Sequence, residues 1–177
     1  MRILLINGSS RPDKNNAALL HGIVKRYEHY ECIIYHDLSG FPLYLADLED
    51  KQVNQIVKDF KIVTNKSDVV IVSTPEYIYG VPAILKNALE WLTQSGELNH
   101  KKILAITYTP HQPRGAKCME ALLQSLKALN SDICASLQLY QDQLTIDHNH
   151  LMHGDESLSL LDAAVDLLTH IDVEQDD

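Results

Sequence analysis

Clustered positive charge is missing from this 177-residue chain, in which 15 Lys and Arg stand against 24 Asp and Glu for a formal net charge of −9. Nonspecific nucleic-acid binding needs basic side chains to neutralise phosphates, so that function class is excluded. Long apolar runs are missing too: none reaches the roughly 18 to 20 residues of a membrane span, and MRILLING lacks the length and cleavage region of a secretory signal. The cysteines Cys32, Cys118 and Cys134 are an odd number without metal-ligand spacing. They are expected as small buried hydrophobes in a reduced, cytoplasmic protein. Seven Gly and six Pro are too few for a linker-rich chain, and there is no internal repeat. Residues 1–177 are therefore expected to form a single domain, one that handles small molecules.

What is present is an alternation of apolar runs and helical stripes. Arg2 to Ile6 reads as a strand that ends at Asn7-Gly8-Ser9-Ser10, followed by a helix striped by Leu19, Leu20, Ile23, Val24 and Tyr27. A second strand is expected around Glu31 to Asp37, and Val53, Ile56, Val57, Phe60 and Val63 mark the next helix. The run Val69 to Val72, within Asp68 to Ser73, reads as a strand covered on both faces, and its helix is expected from about Pro82 to Gln94. Lys102 to Thr107 is a fourth strand, with Met119, Leu122, Leu126 and Leu129 striping its helix. Ile133, Ala135, Leu137 and Leu139 alternate with polar neighbours as an edge strand would, and Leu161, Ala164, Val165 and Leu168 close the chain as a helix. The pattern predicts an α/β three-layer sandwich with a five-stranded parallel sheet in the order 2-1-3-4-5.

In that order the sheet reverses direction between strands one and three, so the loops after Ile6 and Ser73 should face each other across a ligand crevice. The first, NGSSRPDKNN, sets Ser9, Ser10, Arg11, Lys14, Asn15 and Asn16 ahead of a helix whose free amides favour an anion. A phosphate fits there, although Asn15 or Asn16 capping the helix with Arg11 in solvent reads equally well from this loop alone. The loop is neither a P-loop nor a G-x-G-x-x-G fingerprint. The second is PEYIYGVPAILKNALEW, Pro75 to Trp91.

Together the two loops resemble those of NAD(P)H-dependent FMN reductases, flavodoxin-like proteins that include quinone, azo and chromate reductases. That family carries a first loop like G-S-x-R-x-x-S-x-N and a second like P-E-Y-N-x-x-x-P-x-x-L-K-N-A-x-D-W-L. Here Gly8, Ser9, Arg11, Asn16, Pro75, Glu76, Tyr77, Pro82, Leu85, Lys86, Asn87, Ala88, Trp91 and Leu92 match.

The resemblance implies that Ser9, Arg11 and Asn16 hold an FMN phosphate and that Pro75, Glu76, Tyr77 and Gly80 border the isoalloxazine. Lys14, Asn15, Ile78, Tyr79, Thr109 and Gly115 are expected as further cofactor contacts. It also implies NADPH or NADH as electron donor, a small-molecule electron acceptor, and a homodimer or homotetramer. The flavin does the redox chemistry, so no catalytic side chain is assigned. The chain departs from the family at Ile78, where the family has Asn, at Lys14, where it has Ser, and in TYTPHQPRGAK, where its several glycines reduce to Gly115. His111 and Arg114 are expected at the mouth, and Arg11, Arg114 and Lys117 are the candidate cations for a 2′-phosphate. An alternative reading is an FMN-binding electron carrier, or a degenerate binding protein, without nicotinamide oxidation. Asp147-His148-Asn149-His150 with His153 and Asp155 matches no strong zinc spacing and is expected as a polar surface loop, so no metal is assigned.

Overall fold

Five parallel strands line up in the order β2-β1-β3-β4-β5, the sheet anticipated above. The computed structural model describes residues 1–11, 14–47 and 53–170. In chain order the elements are β1 (Arg2–Asn7), α1 (Asn15–Arg26), β2 (Glu31–Tyr35), α2 (Gln55–Lys66), β3 (Val69–Thr74), α3 (Ala83–Glu90), β4 (Lys102–Thr109), α4 (Ala116–Ala128), β5 (Asp132–Tyr140), β6 (Thr145–Ile146), β7 (Met152–His153) and α5 (Asp155–Thr169).

The continuous apolar runs follow from burial on both faces. Leu4, Ile6, Val70, Val72, Ile103 and Ala105 point into a core closed by α2, α3 and α4, centred on Phe60, Leu85 and Leu122. Their neighbours Ile3, Leu5, Ile71, Leu104 and Ile106 point the other way, onto Leu19, Leu20 and Ile23 of α1 and Leu161, Val165 and Leu168 of α5. Side chains alternate across a strand, so a central strand needs apolar residues at every position.

Several boundaries differ from expectation. The second strand ends at Tyr35, two residues short, and the fourth runs on to Thr109. Val53 precedes α2, which starts behind an Asn54 cap whose Oδ1 accepts from Ile56 N at 3.0 Å. The third helix is regular only over Ala83–Glu90. Beyond it Leu92 N bonds to Leu89 O and Thr93 N to Glu90 O, both at 3.1 Å, so the ladder tightens to i→i−3. In the edge strand the partners of Ile103 and Leu104 are Ile133 and Ala135, so Cys134 is skipped in a bulge. Ile133 consequently packs with the α2–α4 core, whereas Ala135, Leu137 and Leu139 pack on the opposite face. Simple alternation had put all four together. The stretch expected as a polar loop contains the β6–β7 ribbon, whose turn places His150 over His21 of α1 at 4.8 Å between ring centroids.

The C-terminal end of α1 is tied to the middle of α5 by Asp162. Arg26 reaches its two carboxylate oxygens from Nε at 2.7 Å and Nη2 at 2.6 Å, and Tyr27 donates its hydroxyl at 2.5 Å. The Arg26 hydrogen bonds hold the Asp162 carboxyl below the ordinary carboxylate range. A depressed folded-state pKa contributes stability above the unfolded value, near 3.9, and loses it as pH falls through the folded value. Both partners are more than a third exposed, which limits the contribution to roughly 1 kcal/mol or less. In urea unfolding at pH 6 and pH 3, wild type is expected to lose more stability between the two than Asp162→Asn does. Equal losses would show that the pair carries no pH-dependent stability.

Candidate functional site

The crevice forms where β1, β3 and β4 end. Gly8 N donates to Ser73 O at 2.8 Å, drawing the first loop onto the end of β3. A Cβ on Gly8 would stand 2.6 Å from Leu85 Cδ2 and 3.0 Å from Thr74 Cβ, so only glycine permits this approach without a shift. Two side-chain turns then shape the loop. The buried Asn7 Oδ1 accepts from Ser9 N and Ser9 Oγ accepts from Arg11 N, each at 3.1 Å. Among the described residues the buried Asn7 Nδ2 has no partner.

Asn16 is 3% exposed and braces the floor. Its Oδ1 accepts from Ser73 Oγ at 2.7 Å and its Nδ2 donates to Tyr108 O at 3.3 Å, which pins the start of α1 to β3 and β4 together. Asn15 donates to Gln141 Oε1 at 2.8 Å, linking the same turn to the end of β5. Neither residue caps α1: the cap position is Lys14, which makes no side-chain capping bond, so among the described residues no side chain takes the first-turn amides.

The second loop is a tight hairpin turn in which Tyr77 and Gly80 exchange backbone bonds at 3.1 and 3.0 Å. Its central residues, Ile78 and Tyr79, both lie in the left-handed region at φ 51 and φ 56. They project outward, 99% and 80% exposed. Tyr77 instead turns inward, with Ser10 Oγ donating to its hydroxyl at 3.3 Å and Ser9 Oγ 3.5 Å from it. Burial works to raise this phenol's pKa, but the Ser10 and Ser9 contacts and the Arg11 charge bring it below the usual tyrosine value. Glu76 anchors the loop, accepting from Cys118 N at 3.1 Å in the first turn of α4. The Cys118 thiol is pushed up to about 12, mainly by burial and then by the Glu76 charge, so it stays neutral.

The third wall follows β4. Thr109 Oγ1 donates to Arg114 O at 2.9 Å and Arg114 N to His111 O at 3.1 Å, closing the loop on itself. Gly115 ends it at φ 98, where a Cβ would lie 2.8 Å from Thr107 Oγ1.

These walls enclose about 330 Å³, within the range of small-molecule sites. Ser9, Arg11, Lys14, Asn15 and Asn16 line one side and Pro75, Glu76 and Tyr77 the floor, with Thr109 opposite. Of the expected contacts, Ile78, Tyr79, Gly80 and Gly115 do not line the cleft: the hairpin turn carries the first three outward and Gly115 supports the wall from behind. Arg114 lines it, but His111 does not, and Lys117 turns to Glu120 at 3.1 Å. Tyr108, Pro110 and Gln141 line it without having been anticipated as contacts; the first two stand at the end of β4, and the pairing of β5 with β4 brings Gln141 beside them. A larger depression of about 790 Å³ lies along β5 and α5, but it is open and its lining is mostly apolar. Converging donors, not volume, single out the smaller cleft. Among the described residues no group of three or more His, Cys, Asp or Glu is placed to hold a metal ion.

Comparison with known proteins matches the chain to a family. The family model described as NADPH-dependent FMN reductase matches residues 1–143. NADH:(hydroxy)cinnamate reductase subunit CrdA of Vibrio ruber is 27% identical over 71% of this chain and 62% of its own length. A 2-hydroxy-1,4-benzoquinone reductase of Burkholderia sp is 31% identical over 53% of this chain and 51% of its own. The matches thus span between half and two thirds of those relatives' lengths. Among solved structures, the flavoenzyme NAD(P)H:(acceptor) oxidoreductase FerB of Paracoccus denitrificans shares the fold, with a TM-score of 0.77, 21% identity, and coverage of 94% of this chain and 96% of that one.

Proposed function

Because the chain belongs to the NADPH-dependent FMN reductase family, we propose that this cleft holds FMN and that the protein passes electrons from NADPH or NADH to a small acceptor such as a quinone, azo compound or free flavin. One observation carries the reading: Arg11 and Lys14, without ion-pair partners among the described residues, converge with the Ser9 and Tyr77 hydroxyls beside the open amides of α1. That donor set fits a phosphate. The apolar surfaces of Pro75, Tyr77 and Pro110 fit a planar ring beside it, and Asn7 Nδ2, without a partner among the described residues, marks a first loop with a donor to spare.

When bound, FMN would supply the redox chemistry, taking a hydride from the nicotinamide and giving electrons to the acceptor. The protein's own part is positional. Ser9, Arg11 and Lys14 would hold the phosphate end. Asn16 keeps the start of α1 against β3 and β4 while Asn15 ties it to Gln141, so the phosphate side cannot drift from the opposite wall. Glu76 fixes Pro75 and Tyr77 through the amide of Cys118. Tyr77, with its hydroxyl against Ser9 and Ser10, would border both ends of the cofactor. Ile78 and Tyr79 would act at the rim. A protonated side chain is not required beside the ring.

We further infer a homodimer or homotetramer. Leu43 and Leu45 after β2 and Ile78 and Tyr79 after β3 are exposed apolar side chains at the same end of the sheet, which a second copy would cover. An odd number of cysteines without metal-ligand spacing supports a cytoplasmic location. Among the described residues no helix is long and apolar enough to cross a membrane.

The test is the visible spectrum of the protein with added FMN, followed by anaerobic titration with NADPH. Bound flavin that bleaches on titration is expected. Flavin that binds and does not bleach with NADPH or NADH would make the protein a carrier, and no binding would overturn the assignment of the cleft.

A further inference from the structure

Arg114 is the charged side chain that the wall after β4 contributes to the cleft, and it has no ion-pair partner among the described residues. Three backbone positions of that wall offer the cleft no free donor. Pro110 and Pro113 have no N–H, the Arg114 N–H is bonded to His111 O at 3.1 Å, and the Thr109 hydroxyl is bonded to Arg114 O at 2.9 Å. Arg114 is thus the residue through which this wall brings positive charge to the cleft lining.

Its position across the sheet matters. Arg11 and Lys14 follow β1, Arg114 follows β4, and β3 lies between, so the two cationic walls are separated by about two strand spacings, roughly 10 Å. Among the described residues the one carboxylate lining the cleft, Glu76, accepts from the Cys118 amide in the first turn of α4 and makes no ion pair with Arg114.

We propose that Arg114 sets the reduction potential of the flavin held in this cleft by favouring the negative charge gained on reduction; this rests on the FMN reading above. A hydride carries two electrons and one hydrogen nucleus. Its transfer to a neutral ring system leaves the nicotinamide one charge more positive and the flavin one charge more negative, with no proton drawn from solvent. The phosphate carries the same charge before and after, so groups anchored to it bind both states nearly alike. A cation on the opposite wall binds the reduced state more tightly.

The experiment is equilibrium redox titration of the FMN-loaded protein, together with the Kd for oxidised FMN, in wild type, Arg114→Gln and Arg114→Lys. Arg114→Gln is expected to lose at least tenfold in affinity for reduced relative to oxidised flavin. For a two-electron couple that is a midpoint about 30 mV lower. Arg114→Lys should keep most of the wild-type potential, and added salt should shrink the difference between wild type and Arg114→Gln. An unchanged midpoint in Arg114→Gln, with FMN bound, overturns the role of Arg114 and leaves the FMN reading intact. A fall in Arg114→Lys as large as in Arg114→Gln overturns the charge argument. Failure of the wild type to bind FMN overturns both.

Discussion

Asn16→Ala is expected to lose about 2–3 kcal/mol of folding stability in the cofactor-free protein, a Tm lower by roughly 4–12 °C. The carboxamide is buried and serves two partners on two strands, Ser73 Oγ and Tyr108 O. Removing it strands the Ser73 hydroxyl, itself 0% exposed, without an acceptor. An unsatisfied buried donor costs about 1–3 kcal/mol, and the carbonyl of Tyr108 loses a partner as well. FMN binding should weaken in parallel, because the same side chain holds the first turn of α1 at the switch point. Urea unfolding without FMN separates the two effects. A variant as stable as wild type would mean that water replaces the carboxamide and that Asn16 is no brace.

Arg11→Ala should behave in the opposite way, with stability within about 0.5 kcal/mol of wild type and FMN affinity lower by roughly 10- to 100-fold. Arg11 is exposed and its side chain makes no hydrogen bond or ion pair among the described residues, so the fold does not depend on it. A charge-assisted bond to a phosphate contributes about 1.5–3 kcal/mol, and all of it belongs to the ligand. Riboflavin, which lacks the phosphate, is the control. Its affinity should be the same for both proteins, and the salt dependence of FMN binding should flatten in the variant. Equal losses for FMN and riboflavin would show that Arg11 does not act on the phosphate.

The contrast between these residues also shows what the two loop motifs conveyed. Asn16 matched the family pattern as a phosphate contact, yet its side chain is occupied within the fold. No spacing along the chain reports that Ser73 and Tyr108 lie on either side of it. Ile78 was expected beside the flavin, with a lost polar contact as the consequence of replacing Asn. The structure shows a different consequence: position 78 has φ 51, a conformation that Asn tolerates and a β-branched residue resists. Turn geometry of this kind depends on the Tyr77–Gly80 backbone bonds, which periodicity does not reveal.

Cys134 illustrates the same limit in the sheet. An alternating pattern predicts faces correctly only while the register is unbroken, and one skipped residue reverses the side on which Ile133 packs. Gln141 entered the cleft by a similar route, carried there at the end of an edge strand by its pairing with β4.

The sequence by itself determined the sheet, its order and the two loops that meet at the switch point, because burial on both faces demands uninterrupted apolar strands and the crossovers have one favoured hand. Only the tertiary structure decided which polar side chains brace the cleft and which face into it. That choice depends on hydrogen bonds between residues far apart in the chain, such as Asn16 to Tyr108 and Glu76 to Cys118, and these exist only once the strands are side by side.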